Sequence, residues 1–258
     1  MLMREDGTGL HPVTKAQPQP YGLTWSPDER SLVYSSGGDL WRVDLDTGAT
    51  QDLTPTADAQ ESEAAWSPDG SRIAFLSLEG CVRCTRVYLV APDGTARVAI
   101  GDQGRRPAWS PDGSRIALAG SPMRIVDLDA GSSVTFVGGS FPSWSPNGRL
   151  VAFEGQSGLR VLDTLSKTDR LVTKKLGAVP TWSPDGRRIA AASPTNGELG
   201  IVYANGRGLR LVPRADLASD APSWSKATGV VAFVERGRCG IDVVRADGTH
   251  RRRLTHAC

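Results

Sequence analysis

The four cysteines are the residues of this chain best suited to covalent chemistry. Cys81 and Cys84 are two residues apart in a loop, and Cys239 and Cys258 bracket the last strand pair. A redox Cys-x-x-Cys centre needs a helix N-terminus to stabilise its thiolate, and none is predicted. A four-cysteine zinc site is disfavoured because the two pairs fall in repeats that are not neighbours. We expect the disulfides Cys81–Cys84 and Cys239–Cys258, which favour an oxidising compartment, and redox or zinc chemistry remains the less favoured alternative.

Nucleophilic, metal and phosphate chemistry finds little support elsewhere in the sequence. The chain has three histidines, His11, His250 and His256, and none is spaced to pair with a nucleophile. Residues 155–158 read Gly-Gln-Ser-Gly, which is not the Gly-x-Ser-x-Gly motif of a nucleophile elbow. Residues 7–9 read Gly-Thr-Gly without the third glycine and helix of a phosphate loop. We therefore predict no catalytic residue, no metal site and no cofactor.

A repeat of about 40 residues supplies the elements that must position any site. Its marker is a tryptophan followed by serine, and we call these residues the repeat tryptophans: Trp25, Trp66, Trp109, Trp144, Trp182 and Trp224. In five of the six copies the next residue is proline, and three of those five continue with Asp-Gly. A large aromatic at one repeat position is more typical of packing between neighbouring repeats than of ligand stacking. Periods of this length with turn signals indicate a radial repeat whose units bury their faces against one another.

One unit, residues 64–100, predicts a four-stranded antiparallel sheet. Strand-like runs such as Arg72–Leu76 and Arg86–Val90 alternate with Pro-Asp-Gly turns at 68–70 and 92–94. Glycine and proline recur too often for helices. The sequence therefore predicts an all-β protein in which each unit is one blade of a β-propeller.

Six complete blades are predicted within a single propeller domain, residues 1–258. Their approximate bounds are 22–54, 64–100, 107–137, 142–172, 180–212 and 222–255. Residues 1–14 match only the second half of a unit, so Met1 need not be the native start. A six-bladed propeller is favoured, and a seven-position ring with one half-blade is the alternative.

The repeat resembles that of TolB-type propellers, a WD40-like family built on the same Pro-Asp-Gly turn. The resemblance rests on Trp-Ser-Pro-Asp-Gly followed by Arg-Ile-Ala-Phe, as at 66–75, and covers nearly the whole chain. It implies a periplasmic or secreted binding scaffold. The separate N-terminal domain of TolB has no counterpart here. Similar repeats accompany peptidase domains and some sugar-acid lyases, so the resemblance transfers the fold and not a function.

Charge and hydropathy exclude two classes of partner. The net charge is +2, which does not favour nucleic acid, and no run of about 20 apolar residues predicts a membrane span. The basic run Arg251–Arg253 is interpreted as a solvated edge-strand feature that opposes aggregation. We expect a monomer.

The variable connections are the expected place for recognition. Loops between blades and between the second and third strands fall at the same face, and loops on a rigid scaffold commonly carry binding. The recognition candidates near that face are Glu61, Glu63, Arg105, Arg106, Lys174 and Lys175. The first functional hypothesis is a non-enzymatic scaffold that binds a protein or glycan partner at this face or in the central channel. The alternative is a propeller that gates substrate access in a larger peptidase or hydrolase.

Overall fold

Six four-stranded antiparallel sheets make up the described part of the chain. The computed structural model describes residue 13 and residues 21–56, 59–79, 85–217, 222–225, 228–235 and 240–255. These residues form β-strands and no helix, and each sheet contains four strands that are consecutive in sequence. The prediction of an all-β, six-bladed propeller is confirmed.

The strands of each blade follow one another without crossovers. Blade 1 contains β1 (Tyr21–Trp25), β2 (Ser31–Ser36), β3 (Asp39–Asp44) and β4 (Thr50–Asp52). Blade 2 contains β5 (Gln60–Trp66), β6 (Ile73–Leu78), β7 (Thr85–Val90) and β8 (Val98–Asp102). Blade 3 contains β9 (Arg105–Trp109), β10 (Arg115–Ala119), β11 (Met123–Asp127) and β12 (Ser132–Phe136).

The second half of the chain repeats the pattern. Blade 4 contains β13 (Ser140–Trp144), β14 (Leu150–Gly155), β15 (Gly158–Asp163) and β16 (Thr168–Thr173). Blade 5 contains β17 (Ala178–Trp182), β18 (Arg188–Ala192), β19 (Glu198–Tyr203) and β20 (Arg210–Asp216). Blade 6 contains β21 (Ser223–Trp224), β22 (Val230–Val234), β23 (Ile241–Arg245) and β24 (Arg252–Arg253). Blades 1 to 3 belong to one compact unit that ends at Phe136, and blades 4 to 6 belong to a second that begins at Val137.

The predicted half-repeat at residues 1–14 lies outside the described residues, except for Val13. Val13 packs against a small cluster on blade 1 that contains Leu32, Tyr34 and Val43. This cluster lies on the side of blade 1 that faces away from blade 2. Val13 of the N-terminal segment therefore helps to bury it.

The Trp-Ser-Pro-Asp-Gly motif closes the first hairpin of a blade through a fixed set of hydrogen bonds. In blade 2 the Ser67 hydroxyl donates to Asp69 Oδ1 over 2.6 Å and accepts the Arg72 amide over 2.9 Å. The Gly70 amide donates to the Ser67 carbonyl, and Gly70 takes a φ of 73° that favours glycine. The hydrogen bonds that the Asp69 carboxylate accepts from Ser67 and Ser71 lower the pKa of Asp69 to about 2. Serine, aspartate and glycine thus each have a defined part in closing this turn.

Three of the repeat tryptophans join their blade to the one before it. Trp109 Nε1 donates to the Ala65 carbonyl of blade 2 over 2.9 Å. Trp182 donates to Ser143 over 3.0 Å, and Trp224 donates to Thr181 over 3.1 Å. In each case the acceptor is the residue before the preceding repeat tryptophan, so the predicted packing role is confirmed for these three. Trp25 differs, because half of its surface is exposed.

The hydrophobic core lies between adjacent blades because successive side chains on a strand point to opposite faces of the sheet. Ile73 and Phe75 of β6 pack against Val33 and Leu40 of blade 1. Ala74 and Leu76 of the same strand belong to a cluster shared with blade 3. Equivalent clusters join blade 4 to blade 5 and blade 5 to blade 6. Blades 2 and 5 are therefore stabilised on both faces by their neighbours.

The basic run at the end of the last blade differs from the expected solvated feature. Arg251 Nη2 lies 2.9 Å from Glu235 Oε2, and Arg253 Nε lies 3.0 Å from Asp242 Oδ1. Burial alone raises the pKa of Asp242, but hydrogen bonds from the two arginines outweigh it and lower the pKa overall. Only Arg252 is exposed. The prediction of a solvated run was wrong for Arg251 and Arg253, because strand alternation turns both toward buried carboxylates.

Candidate functional site

Each blade has a loop end and a turn end. We define the turn end as the edge with the two tight turns, and the loop end as the opposite edge, with the connection between the second and third strands and the link to the next blade. All six recognition candidates are close to loop ends. Glu61 and Glu63 lie near the start of β5, Arg105 and Arg106 at the start of β9, and Lys174 and Lys175 directly after β16.

The first strand of five blades carries a bulge near its loop end. The residue three positions before the repeat tryptophan has a positive φ in each, and the strand pairing shifts there. These residues and angles are Gly22 (64°), Glu63 (56°), Arg106 (49°), Phe141 (54°) and Val179 (45°). A positive φ is strained for residues other than glycine, especially for β-branched valine. Bulges re-aim side chains, so this repeated position places four different side chains, and a glycine in blade 1, in one local geometry.

Two of the recognition candidates meet at this bulge position. The Arg106 amide donates to Glu63 Oε2 over 2.6 Å, which links the first strands of blades 2 and 3. The Arg105, Lys174 and Lys175 side chains are exposed. The blade 2–3 bulges are thus tied together, with a basic side chain displayed beside them.

Glu61 differs from the other candidates because it is fully buried. It lies five residues before its repeat tryptophan, where blades 3, 4 and 5 carry Gly104, Gly139 and Gly177. A Cβ on Gly104 would lie 2.8 Å from Leu118 Cδ1, so a side chain fits poorly at this position in blade 3. Blade 2 thus accommodates a buried carboxyl at a position where blades 3 and 4 leave no room for a Cβ.

Arg97 provides the positive charge that faces the carboxyl group of Glu61. Its Nη1 lies 2.9 Å from Glu61 Oε1, and its Nη2 pairs with Glu79. The guanidinium also lies 4.3 Å from the centre of the Tyr88 ring, and the Tyr88 hydroxyl donates to Glu79 Oε2 over 2.8 Å. One cation therefore joins the buried Glu61 to the start of the loop that follows β6.

The electrostatics of Glu61 are dominated by its burial. Burial raises the pKa of Glu61 to about 7, while the Thr54 hydroxyl and the Arg97 charge act in the opposite direction. The contact with Arg97 is an ion pair by distance, but neither carboxylate oxygen accepts a well-oriented hydrogen bond from a described residue. A carboxyl of this kind can exchange a proton near neutral pH.

The described residues around Glu61 and elsewhere do not form a metal-binding group. No group of three or more His, Cys, Asp or Glu side chains is placed to hold a metal ion there. No helix in the same ranges is long and apolar enough to cross a membrane. The four disulfide candidates, Cys81, Cys84, Cys239 and Cys258, all lie outside the described residues.

Sequence reasoning did not identify Arg97 and Glu79. One signal in the sequence could have indicated them. Three other blades carry glycine at the position of Glu61, so a carboxyl there is unusual and needs a nearby cation. The register that brings Arg97 beside Glu61 depends on how blade 2 folds and could not be obtained from spacing.

The fold is similar to those of several solved propellers. TolB from Acinetobacter baumannii is 22% identical with a TM-score of 0.62, and the match covers 89% of this chain and 61% of that one. An oligogalacturonate lyase in complex with manganese is 17% identical with a TM-score of 0.71, over 90% and 77% of the two chains. Porphyromonas gingivalis dipeptidyl peptidase 4 is 15% identical with a TM-score of 0.61, over 92% and 46%.

These similarities establish the propeller fold alone. No protein-family model matches the sequence, and no curated protein matches it. The chain spans about three fifths of the TolB structure it matches. The similar proteins include enzymes as well as TolB, so activity does not follow from the architecture.

Proposed function

We propose that this chain is a non-enzymatic scaffold that binds a protein or glycan partner. Binding would use the loop ends of the blades or the central channel of the propeller. The resemblance of the repeat to TolB-type propellers supports an exported protein, periplasmic or extracellular. We propose a monomer that neither enters a membrane nor binds nucleic acid.

The repeated bulge is the observation that supports this proposal most. Backbone strain at one position of several blades costs free energy and persists only where the surrounding structure imposes it. The strained position carries one acidic, one basic and two apolar residues: Glu63, Arg106, Phe141 and Val179. Arg106 is exposed there and Glu63 is half-buried, whereas Val179 is buried and Phe141 packs against a core cluster. The strained bulges of blades 2 and 3 are therefore the ones whose side chains can contact a partner.

Exposed basic residues give the loop ends a second feature that suits binding. Arg105, Lys174 and Lys175 are exposed. Positive side chains on a rigid edge favour an acidic protein surface or an anionic glycan, and attraction of this kind weakens with salt.

A crosslinking pull-down from envelope and secreted fractions tests the proposal. The test variant carries Arg105→Ser, Lys174→Ser and Lys175→Ser. The matched control removes three exposed positive charges from turn ends: Lys167→Ser, Arg187→Ser and Arg207→Ser. We expect a partner that the native chain and the control recover and that the test variant loses. Equal recovery by both variants, or no capture by the native chain, would contradict recognition at the loop ends.

A second candidate function is a propeller module that gates substrate access in a larger peptidase or hydrolase. It is favoured by the match to dipeptidyl peptidase 4, of which this chain covers 46%. Determination of the full transcript distinguishes the two functions. An open reading frame that joins this propeller to a catalytic domain supports the module, and a frame that encodes only an export signal and propeller strands supports the scaffold.

A further inference from the structure

A cleft lies between blades 1 and 2 at their turn ends, away from the loops. Its volume is about 410 Å³, within the range of small-molecule sites. Apolar walls come from the Trp66 indole and from the rings of Pro27 and Pro92. Charged groups come from Asp28, Asp69 and Arg42.

Local hydrogen bonds hold the charged groups in place. Asp28 Oδ1 accepts the Ser26 hydroxyl over 2.6 Å and the Arg30 amide over 3.1 Å. Arg42 Nε donates to Ser31 Oγ over 3.2 Å, and its Nη1 donates to the Pro92 carbonyl over 3.2 Å. Side chains fixed in this way lose little conformational entropy when a ligand binds.

These contacts leave hydrogen-bonding capacity on Asp28 and on Arg42. Among the described residues, Asp28 Oδ2 accepts no hydrogen bond and Arg42 Nη2 donates none. Trp66 Nε1 is buried without an acceptor in the same part of the chain, whereas Trp109 Nε1 has one in the Ala65 carbonyl. The Trp66 Nε1 atom is buried, so the groups available to a ligand are the acceptor Asp28 Oδ2 and the donor Arg42 Nη2.

The mixture of donors and acceptors selects the ligand chemistry. An anionic ligand would meet the carboxylates of Asp28 and Asp69, and a cationic ligand would meet the Arg42 guanidinium and could not accept its hydrogen bonds. A hydroxyl both donates and accepts, so adjacent hydroxyls can bridge Asp28 and Arg42. The C–H face of a sugar ring matches the indole and proline walls. We propose that this cleft is a binding site for a neutral pyranose, either free or as a residue of a glycan.

The chain contains a matched pair of substitutions to test this site. In blade 4, Asn147 replaces the turn aspartate and still accepts the Ser145 hydroxyl over 2.7 Å and the Arg149 amide over 3.1 Å. Asp28→Asn should therefore preserve its turn while replacing the free acceptor Oδ2 by a donor. Asp185→Asn makes the same change in blade 5, where Ser183 and Arg187 occupy the equivalent positions, and serves as the control.

The measurement is ligand-observed saturation-transfer NMR with D-glucose, D-galactose, D-mannose and N-acetyl-D-glucosamine. D-glucuronate and D-glucosamine provide anionic and cationic probes of the same size. We expect millimolar binding of at least one neutral pyranose, weakened about tenfold or more by Asp28→Asn and unchanged by Asp185→Asn, since only Asp28→Asn removes a charged acceptor from the cleft. Equal thermal midpoints of the two variants would establish that the fold is intact.

Three results would overturn the assignment. The first is the absence of saturation transfer to all four neutral sugars. The second is an equal loss of binding in both variants, which would place the sugar elsewhere. The third is tighter binding of glucuronate or glucosamine than of every neutral pyranose. The site is independent of the loop ends, so these results and those of the pull-down are separable.

Discussion

At the scale of single residues, the buried carboxyl of Glu61 has the most direct consequence for stability. Its pKa is raised to about 7 in the folded chain from an ordinary value of 4.5. Between these values the folded state binds more protons than the unfolded state, so stability falls as pH rises through this window. Below about pH 4.5 both states are protonated, and the penalty from ionising Glu61 is absent.

We predict that Glu61→Gln removes this pH dependence. The thermal midpoint of the native chain should fall relative to that of Glu61→Gln as pH rises from about 4.5 to about 7, by the equivalent of on the order of 3 kcal/mol. Thermal unfolding followed by circular dichroism over this range gives the measurement. Glu63→Gln controls for loss of a charge from the same strand. Parallel profiles for the native chain and Glu61→Gln would show that Glu61 does not titrate in this window.

Glycine positions in the turns give a second prediction at this scale. Gly94 has a φ of 84°, and a Cβ there would lie 3.0 Å from the Leu53 carbonyl oxygen of the neighbouring blade. Gly131 has a φ of 60° with no atom within 4 Å of an added Cβ. Gly94→Ala should therefore destabilise by about 2–3 kcal/mol, because strain and a backbone clash add.

Gly131→Ala is the matched control and should cost about 1 kcal/mol from backbone strain alone. Chemical denaturation of both variants supplies the comparison. Equal losses would mean that the contact with Leu53 relaxes without cost, and that the φ angle alone sets the effect.

At the scale of the strand, the repeat tryptophans link one blade to the next. Trp182 is buried, and its Nε1 donates to the Ser143 carbonyl over 3.0 Å. Trp182→Phe should destabilise by about 1–3 kcal/mol, because the carbonyl loses its donor while the aromatic ring is largely retained. Trp25→Phe should cost less than about 0.5 kcal/mol, since half of Trp25 is exposed.

The two substitutions are compared by chemical denaturation and by tryptophan fluorescence. A loss for Trp182→Phe no larger than that for Trp25→Phe would contradict a linking role for the indole Nε1.

At the scale of the whole molecule, the core is shared between blades. Phe75 is fully buried in a cluster to which blades 1 and 2 both contribute. Phe75→Ala should cost about 3–5 kcal/mol. Hydrogen exchange followed by mass spectrometry should show reduced protection in β2 and β3 of blade 1 as well as in β6 and β7.

Val134→Ala on the outer strand of blade 3 provides the control, since Val134 is 41% exposed. We expect its effect on exchange to be small and confined to blade 3. Reduced protection confined to blade 2 in the Phe75→Ala variant would indicate that a blade is stabilised by its own sheet and not by its neighbours.

The sequence alone determined the repeat, the strand order within a blade and the chemistry of the turns. Those features are local: Ser67, Asp69 and Gly70 close their hairpin with hydrogen bonds that span five residues or fewer. The loop-end location of Glu63, Arg105, Arg106, Lys174 and Lys175 follows from the same local order.

The tertiary structure decided the environment of each candidate side chain. It buried Glu61 and paired it with Arg97, which is 36 residues away in sequence, and it turned Arg251 and Arg253 toward Asp242. It also left Trp25 half exposed and opened the cleft beside Trp66, although both tryptophans occupy the same repeat position. Such differences depend on which strands become neighbours. Sequence spacing fixes the side chains along each strand, and only packing between strands and blades sets their burial, partners and charge.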